Sequence, residues 1–126
     1  MDFAKQALIA GAPADTAGVM FDPARDPEWM KAVTSSVPQT PGIQPGAEVK
    51  RTSTVGGVDV PWTTVVERFH FPHVLRLTIG GGVSGYIRYE VQRSGDGTVA
   101  TVRASCEQDL FGFDLDALKA MVEGQR

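Results

Sequence analysis

From position 47 onward, apolar and polar residues alternate with a period of two, the signature of strands with one buried and one solvated face. The more apolar sets are Val60, Trp62, Thr64 and Val66; Leu75, Leu77 and Ile79; Ile87, Tyr89 and Val91; and Ala100, Val102, Ala104 and Cys106. The opposite sets hold Arg76, Arg88, Glu90, Arg103 and several threonines. Tight connections at Gly56-Gly57, around Phe71 to His73, at Gly80 to Gly82 and at Ser94 to Gly97 divide this stretch. It therefore reads as five consecutive antiparallel strands near 47–55, 58–69, 74–80, 83–93 and 98–107. Ahead of it, Phe3 to Ala10 suits a first strand, and Ala14 to Phe21 can form two helical turns. Asp26 with Pro27 and Glu28 reads as the capped start of a second helix ending near Val33. Residues 34–46 carry three prolines and two glycines and read as loop, with a short strand at 34–37. At the other end Phe111, Leu115, Leu118 and Val122 form one helical stripe. Asp114 is its N-cap, Phe113 a staple onto Leu118, and Gly124 its stop. The fold class is α+β: a curved antiparallel sheet of six or seven strands wrapped around a C-terminal helix, enclosing an apolar pocket. Trp62 and Tyr89 are expected to face that interior from neighbouring strands.

At 126 residues the chain suits a single domain spanning 1–126. A net charge of -3 with dispersed Lys and Arg gives no electrostatic footprint for nucleic acid or acidic lipid. The one cysteine, Cys106, has no internal partner, so the fold must hold without disulfides, as a reducing compartment requires. The N-terminal apolar run follows Asp2 and is broken by Lys5 and Gln6, unlike a signal peptide. No run approaches the roughly 20 apolar residues of a membrane span. A cytoplasmic location is the expectation.

Chemical motifs are few. Gly80-Gly81-Gly82-Val83-Ser84-Gly85 fits G-x-G-x-x-G, but a strand follows where phosphate binding needs a helix, so it reads as a hairpin. His70 and His73 lack further ligands for zinc, and Cys106 reads as a core thiol; no metal and no cofactor is expected. No serine sits in G-x-S-x-G. The arginines carry more. Arg51 falls in the less polar set of its strand, and Arg68 continues the set of Val60, Trp62, Thr64 and Val66. An inward guanidinium needs a carboxylate partner or an anionic ligand; a position at the rim, snorkelling to water, is the competing reading. A slip or bulge bringing Glu67 inward instead also remains open.

The order of strand, two short helices, long meander and terminal helix resembles the START-like helix-grip (SRPBCC) superfamily, which includes birch-pollen-allergen-like and polyketide cyclase/dehydrase-like proteins. The local residues that match are Ala12-Pro13-Ala14-Asp15, Asp22-Pro23, Pro27-Glu28-Trp29 and Gly97-Thr98. The resemblance implies a helix-grip fold that binds an apolar or aromatic small molecule, lipid-like or polyketide-like, between sheet and terminal helix. Its wall would be Arg51, Trp62, Thr64, Val66, Arg68, Leu77, Ile87, Tyr89, Ala100, Val102, Leu118 and Met121. The alternatives are a cyclase or aromatase-like enzyme using Tyr89, Arg51 and Arg68, with no catalytic residue assigned, or a protein-interaction module. The terminal helix is shorter than the family's, which leaves apolar sheet surface to be covered. Either a homodimer covers it through Leu110, Phe111 and Phe113, or residues 107–113 fold back as a local lid.

Overall fold

The structure, a computed structural model, describes residues 1–125. Its elements are β1 (Asp2–Ile9), α1 (Pro13–Met20), a 3-10 turn (Pro23–Arg25), α2 (Asp26–Trp29), β2 (Val33–Pro38), β3 (Glu48–Val55), β4 (Val58–His70), β5 (Val74–Gly80), β6 (Gly85–Ser94), β7 (Gly97–Cys106) and α3 (Leu115–Glu123). The seven strands form one sheet in the order β1-β7-β6-β5-β4-β3-β2, every pair antiparallel. The sheet curls into a half-barrel closed over by α3 and the short helices after β1, a helix-grip fold. None of the described helices is long and apolar enough to cross a membrane.

Alternation places the meander's apolar sets in one core: Trp62, Val66, Leu77, Ile87, Tyr89, Val91, Ala100 and Val102 are all buried. Trp62 and Tyr89 do both face inward, but β5 lies between β4 and β6, so they are not on neighbouring strands. The register shifts between Val66 and Arg68, and beyond this bulge Arg68 and Glu67 are both exposed. Glu67 instead accepts from Arg76 Nε at 3.1 Å and Thr78 Oγ1 at 2.9 Å on the outer face. A bulge adds one residue to one strand and so breaks the period-two inference for everything beyond it.

The second helix is a single turn rather than a helix to Val33. Met30 is already extended (φ -102°, ψ 92°) and bridges Phe113. The next amides, Lys31 N and Ala32 N, donate to the carbonyls of Gly112 and Phe111 at 2.8 and 3.1 Å. Pairing with the 111–113 segment therefore replaces the next helical turn, a tertiary contact overriding local propensity. Gly112 sits at φ +62°, where a Cβ would come 2.7 Å from Ala32 N, so glycine is required at this close approach.

That same segment covers the sheet surface left by the short α3. Leu110 and Phe111 are 0% exposed and Phe113 6%. The Phe111 ring meets Trp62 at 5.7 Å and Phe3 at 5.5 Å, and Phe113 stacks on Trp29 at 5.8 Å. Residues 107–113 thus lie as a local lid that completes the core within the chain, with Leu110, Phe111 and Phe113 packed on their own sheet. Ser53 pins the lid: its Oγ donates to Leu110 O at 2.6 Å and accepts from Trp62 Nε1 at 2.8 Å. Ser53→Ala leaves a buried indole N–H and a carbonyl unsatisfied, and is expected to lower stability by about 1–3 kcal/mol in urea unfolding.

Candidate functional site

The buried polar centre of the protein is an ion pair. Asp22 and Pro23 start the 3-10 turn, with the Asp22 carboxylate accepting from Ala24 N at 3.0 Å. This turn delivers Asp26 to the interior, where it is 1% exposed. Among the described residues its side chain makes no bond to an α2 amide. Instead Arg51, an inward position of β3 and 4% exposed, donates from Nε and Nη2 to Asp26 Oδ2 at 3.0 and 2.9 Å. Arg51 Nη1 donates to Thr64 Oγ1 on β4, and the guanidinium lies 5.4 Å from the Trp62 ring centre. Ser36 Oγ reaches the same Oδ2 at 3.5 Å. Asp26 Oδ1 has no hydrogen-bond partner among the described residues.

Burial pushes the Asp26 carboxyl up to about 6, against the opposing pull of Arg51. Tyr89 is pushed upward too, first by burial and then by the charge of Asp26. Its hydroxyl donates to a weak sulfur acceptor, Met30 Sδ at 4.0 Å.

Asp26, Arg51 and Tyr89 line an inner cavity of about 20 Å³, whose apolar wall includes Phe21, Ile43 and Leu75. That is room for one water molecule. An outer cleft of about 450 Å³ adjoins it, lined by Ala17, Phe21, Ile43, Phe69 and Phe71. The two share Phe21, Pro23, Pro38, Gly42 and Ile43, so the cleft leads inward between the α1 end and the Pro/Gly-rich loop 39–47.

Of the residues read from the sequence as a pocket wall, Arg51, Val66, Leu77 and Tyr89 come together on the inner cavity. Trp62 and Thr64 are buried and both contact the Arg51 guanidinium. Ile87, Ala100, Val102 and Leu118 are 0% exposed and belong to the hydrophobic core, and Met121 is half-buried against that core. Arg68 lies outside. The cavity is therefore beside α1 and the 3-10 turn rather than beneath α3. Sequence reasoning missed Asp26, Phe21, Ile43 and Leu75. A signal for Asp26 existed: an inward Arg51 called for a carboxylate, but Pro27 and Glu28 made Asp26 look like a cap.

The chain belongs to the polyketide cyclase/dehydrase and lipid-transport family, whose model matches residues 1–126. Among solved structures it is similar to the protein DR_A0006 of Deinococcus radiodurans (TM-score 0.80, 13% identity, 99% of this chain and 96% of that one). It is similar also to Ara h 8.0201 (TM-score 0.68, 14% identity, 98% of each chain). A third is the di-domain ARO/CYC BexL of the BE-7585A biosynthetic pathway (TM-score 0.66, 16% identity), where 84% of this chain covers 35% of that one. No curated protein matches the sequence.

Proposed function

We propose that the protein binds an apolar or aromatic small molecule, lipid-like or polyketide-like, in the cleft between α1, loop 39–47 and the Phe69–Phe71 hairpin. The observation that carries this is the continuity of an apolar cleft with a buried polar centre. The cleft is of ligand size, and its few convergent polar groups lie at the inner end, as in ligand pockets generally. The family and the fold agree with a ligand-binding role.

A neutral fluorescent hydrocarbon amine such as phenylnaphthylamine tests the reading. Saturable one-to-one binding is expected. Ile43→Ser, at a half-buried loop position in the shared mouth, should weaken it by roughly tenfold, the worth of about 1.4 kcal/mol of lost apolar contact. Absence of saturable binding by folded protein would overturn the cleft as a ligand site.

One observation favours an enzyme of the cyclase type as the second reading: Asp26 titrates at about 6 on the cavity wall, where general acid–base catalysis needs a group near working pH. Native mass spectrometry of protein from its own host separates the two. A bound molecule that persists unchanged supports binding alone, and a mass change during incubation supports turnover.

A further inference from the structure

Three buried side-chain atoms among the described residues have no hydrogen-bond partner: Thr16 Oγ1, Trp29 Nε1 and Asp26 Oδ1. Only the last belongs to a residue on the inner cavity wall. Because Arg51 and Ser36 both bind Oδ2, Oδ1 is the carboxylate oxygen left for whatever enters. We propose that the inner cavity selects ligands ending in a neutral hydroxyl, phenolic or alcoholic, which donates its hydrogen bond to Oδ1 of Asp26. This rests on the cleft being a ligand site.

Size sets the first limit. The inner cavity, about 20 Å³, admits one small polar group, so the ring or chain that carries it stays in the outer cleft of about 450 Å³. Charge sets the second. A ligand carboxylate would face Asp26 across an Arg51 whose Nε, Nη1 and Nη2 are already donating within the protein. A ligand ammonium would enter beside that same guanidinium. A neutral ketone or ether brings only acceptors to an unpartnered acceptor, which leaves the buried Oδ1 unsatisfied. A hydroxyl meets both needs of the wall, because it donates to Oδ1 and can accept from the Tyr89 hydroxyl, whose acceptor among the described residues is the weak Met30 Sδ at 4.0 Å.

The test compares naphthol, methoxynaphthalene and naphthoate by calorimetry on the wild-type protein. Naphthol is expected to bind roughly ten- to a hundredfold more tightly than its methyl ether, with naphthoate weakest. The preference should survive Tyr89→Phe and be lost in Asp26→Asn. Should Asp26→Asn fail to fold, the pH series on wild type and Tyr89→Phe supplies the same assignment. The charged and titratable groups facing Asp26 are Arg51 of β3, Tyr89 of β6 and Asp22 ahead of the 3-10 turn, with Ser36 of β2 as a further polar neighbour. Protonation of Asp26, at about 6, turns its acceptor into an acid, so the naphthol preference should fall as pH is lowered from about 8 to about 5.

Equal affinity for naphthol and its ether overturns the hydroxyl assignment while leaving the cleft as a ligand site. Tighter naphthoate binding overturns it in favour of an anion, and a preference lost in Tyr89→Phe but independent of pH transfers it from Asp26 to Tyr89. No saturable binding of any of the three overturns both this inference and the cleft reading.

Discussion

Arg51→Met is expected to destabilise the protein by about 3–5 kcal/mol at neutral pH, lowering Tm on the order of 10–20 °C. The reason is what the substitution leaves behind. The side chains of Arg51 and Asp26 are 2% and 1% exposed, so removing the guanidinium strands a buried carboxylate without its counter-charge. The sign of the pH dependence follows. The folded-state Asp26 already sits at about 6, above its ordinary value, and loses in the variant the main group pulling it down, with the Ser36 hydroxyl left as the weaker one. A raised folded-state carboxyl favours the folded state at low pH, where it is protonated, and that contribution is lost as pH rises. The deficit of the variant should therefore grow from about pH 5 to about pH 8, read by urea unfolding at both. Replacing both partners, Arg51→Met with Asp26→Leu, should recover all but about 1 kcal/mol, because apolar groups of similar volume need no compensation. A single-variant deficit below about 1 kcal/mol at pH 8 would show that water reaches the pair.

The pattern of alternation was enough to place the meander, because a strand with one wet face writes its orientation into every second residue. It placed β3 through β7 to within a few residues, and the capping chemistry of Asp114 placed α3: its Oδ1 accepts from Ala117 N at 3.0 Å. What failed were features set by partners distant in sequence. Arg68 reads as inward only if the strand is regular, and the bulge after Val66 is invisible in composition. The second helix stops at Trp29 because the amides of Lys31 and Ala32 find carbonyls about eighty residues downstream, which local signals cannot register. The site suffered in the same way. Arg51 was legible as a residue needing a partner, and Tyr89, Val66 and Leu77 as interior. Yet the cavity lies where the 3-10 turn and loop 39–47 approach the sheet, and both are irregular segments whose path no periodicity describes. The two readings left open for residues 107–113 differed only in where apolar side chains of the same stretch would be buried. Leu110, Phe111 and Phe113 look alike under either.

Phe111→Asp is expected to yield an unfolded chain. Phe111 is 0% exposed and touches the rings of Phe3, Trp62 and Phe113, the last at 4.9 Å, so it joins the β1 edge, the β4 wall and the lid in one cluster. Truncation to alanine should cost about 3–5 kcal/mol from lost burial and the cavity left behind. Aspartate adds a buried charge with no cation among those contacts, and the sum approaches or exceeds the 5–15 kcal/mol typical of a whole domain. Leu8→Asp is the control. Leu8 is 62% exposed on β1, and the same chemical change there should stay within about 0.5 kcal/mol. Circular dichroism and light scattering read the result together. Loss of cooperative melting in Phe111→Asp, with Leu8→Asp unchanged, is the expected outcome. A folded monomer of Phe111→Asp derived from a dimeric wild type would instead place Phe111 between two copies, and would mean that in solution the 107–113 segment leaves its own core to cover another.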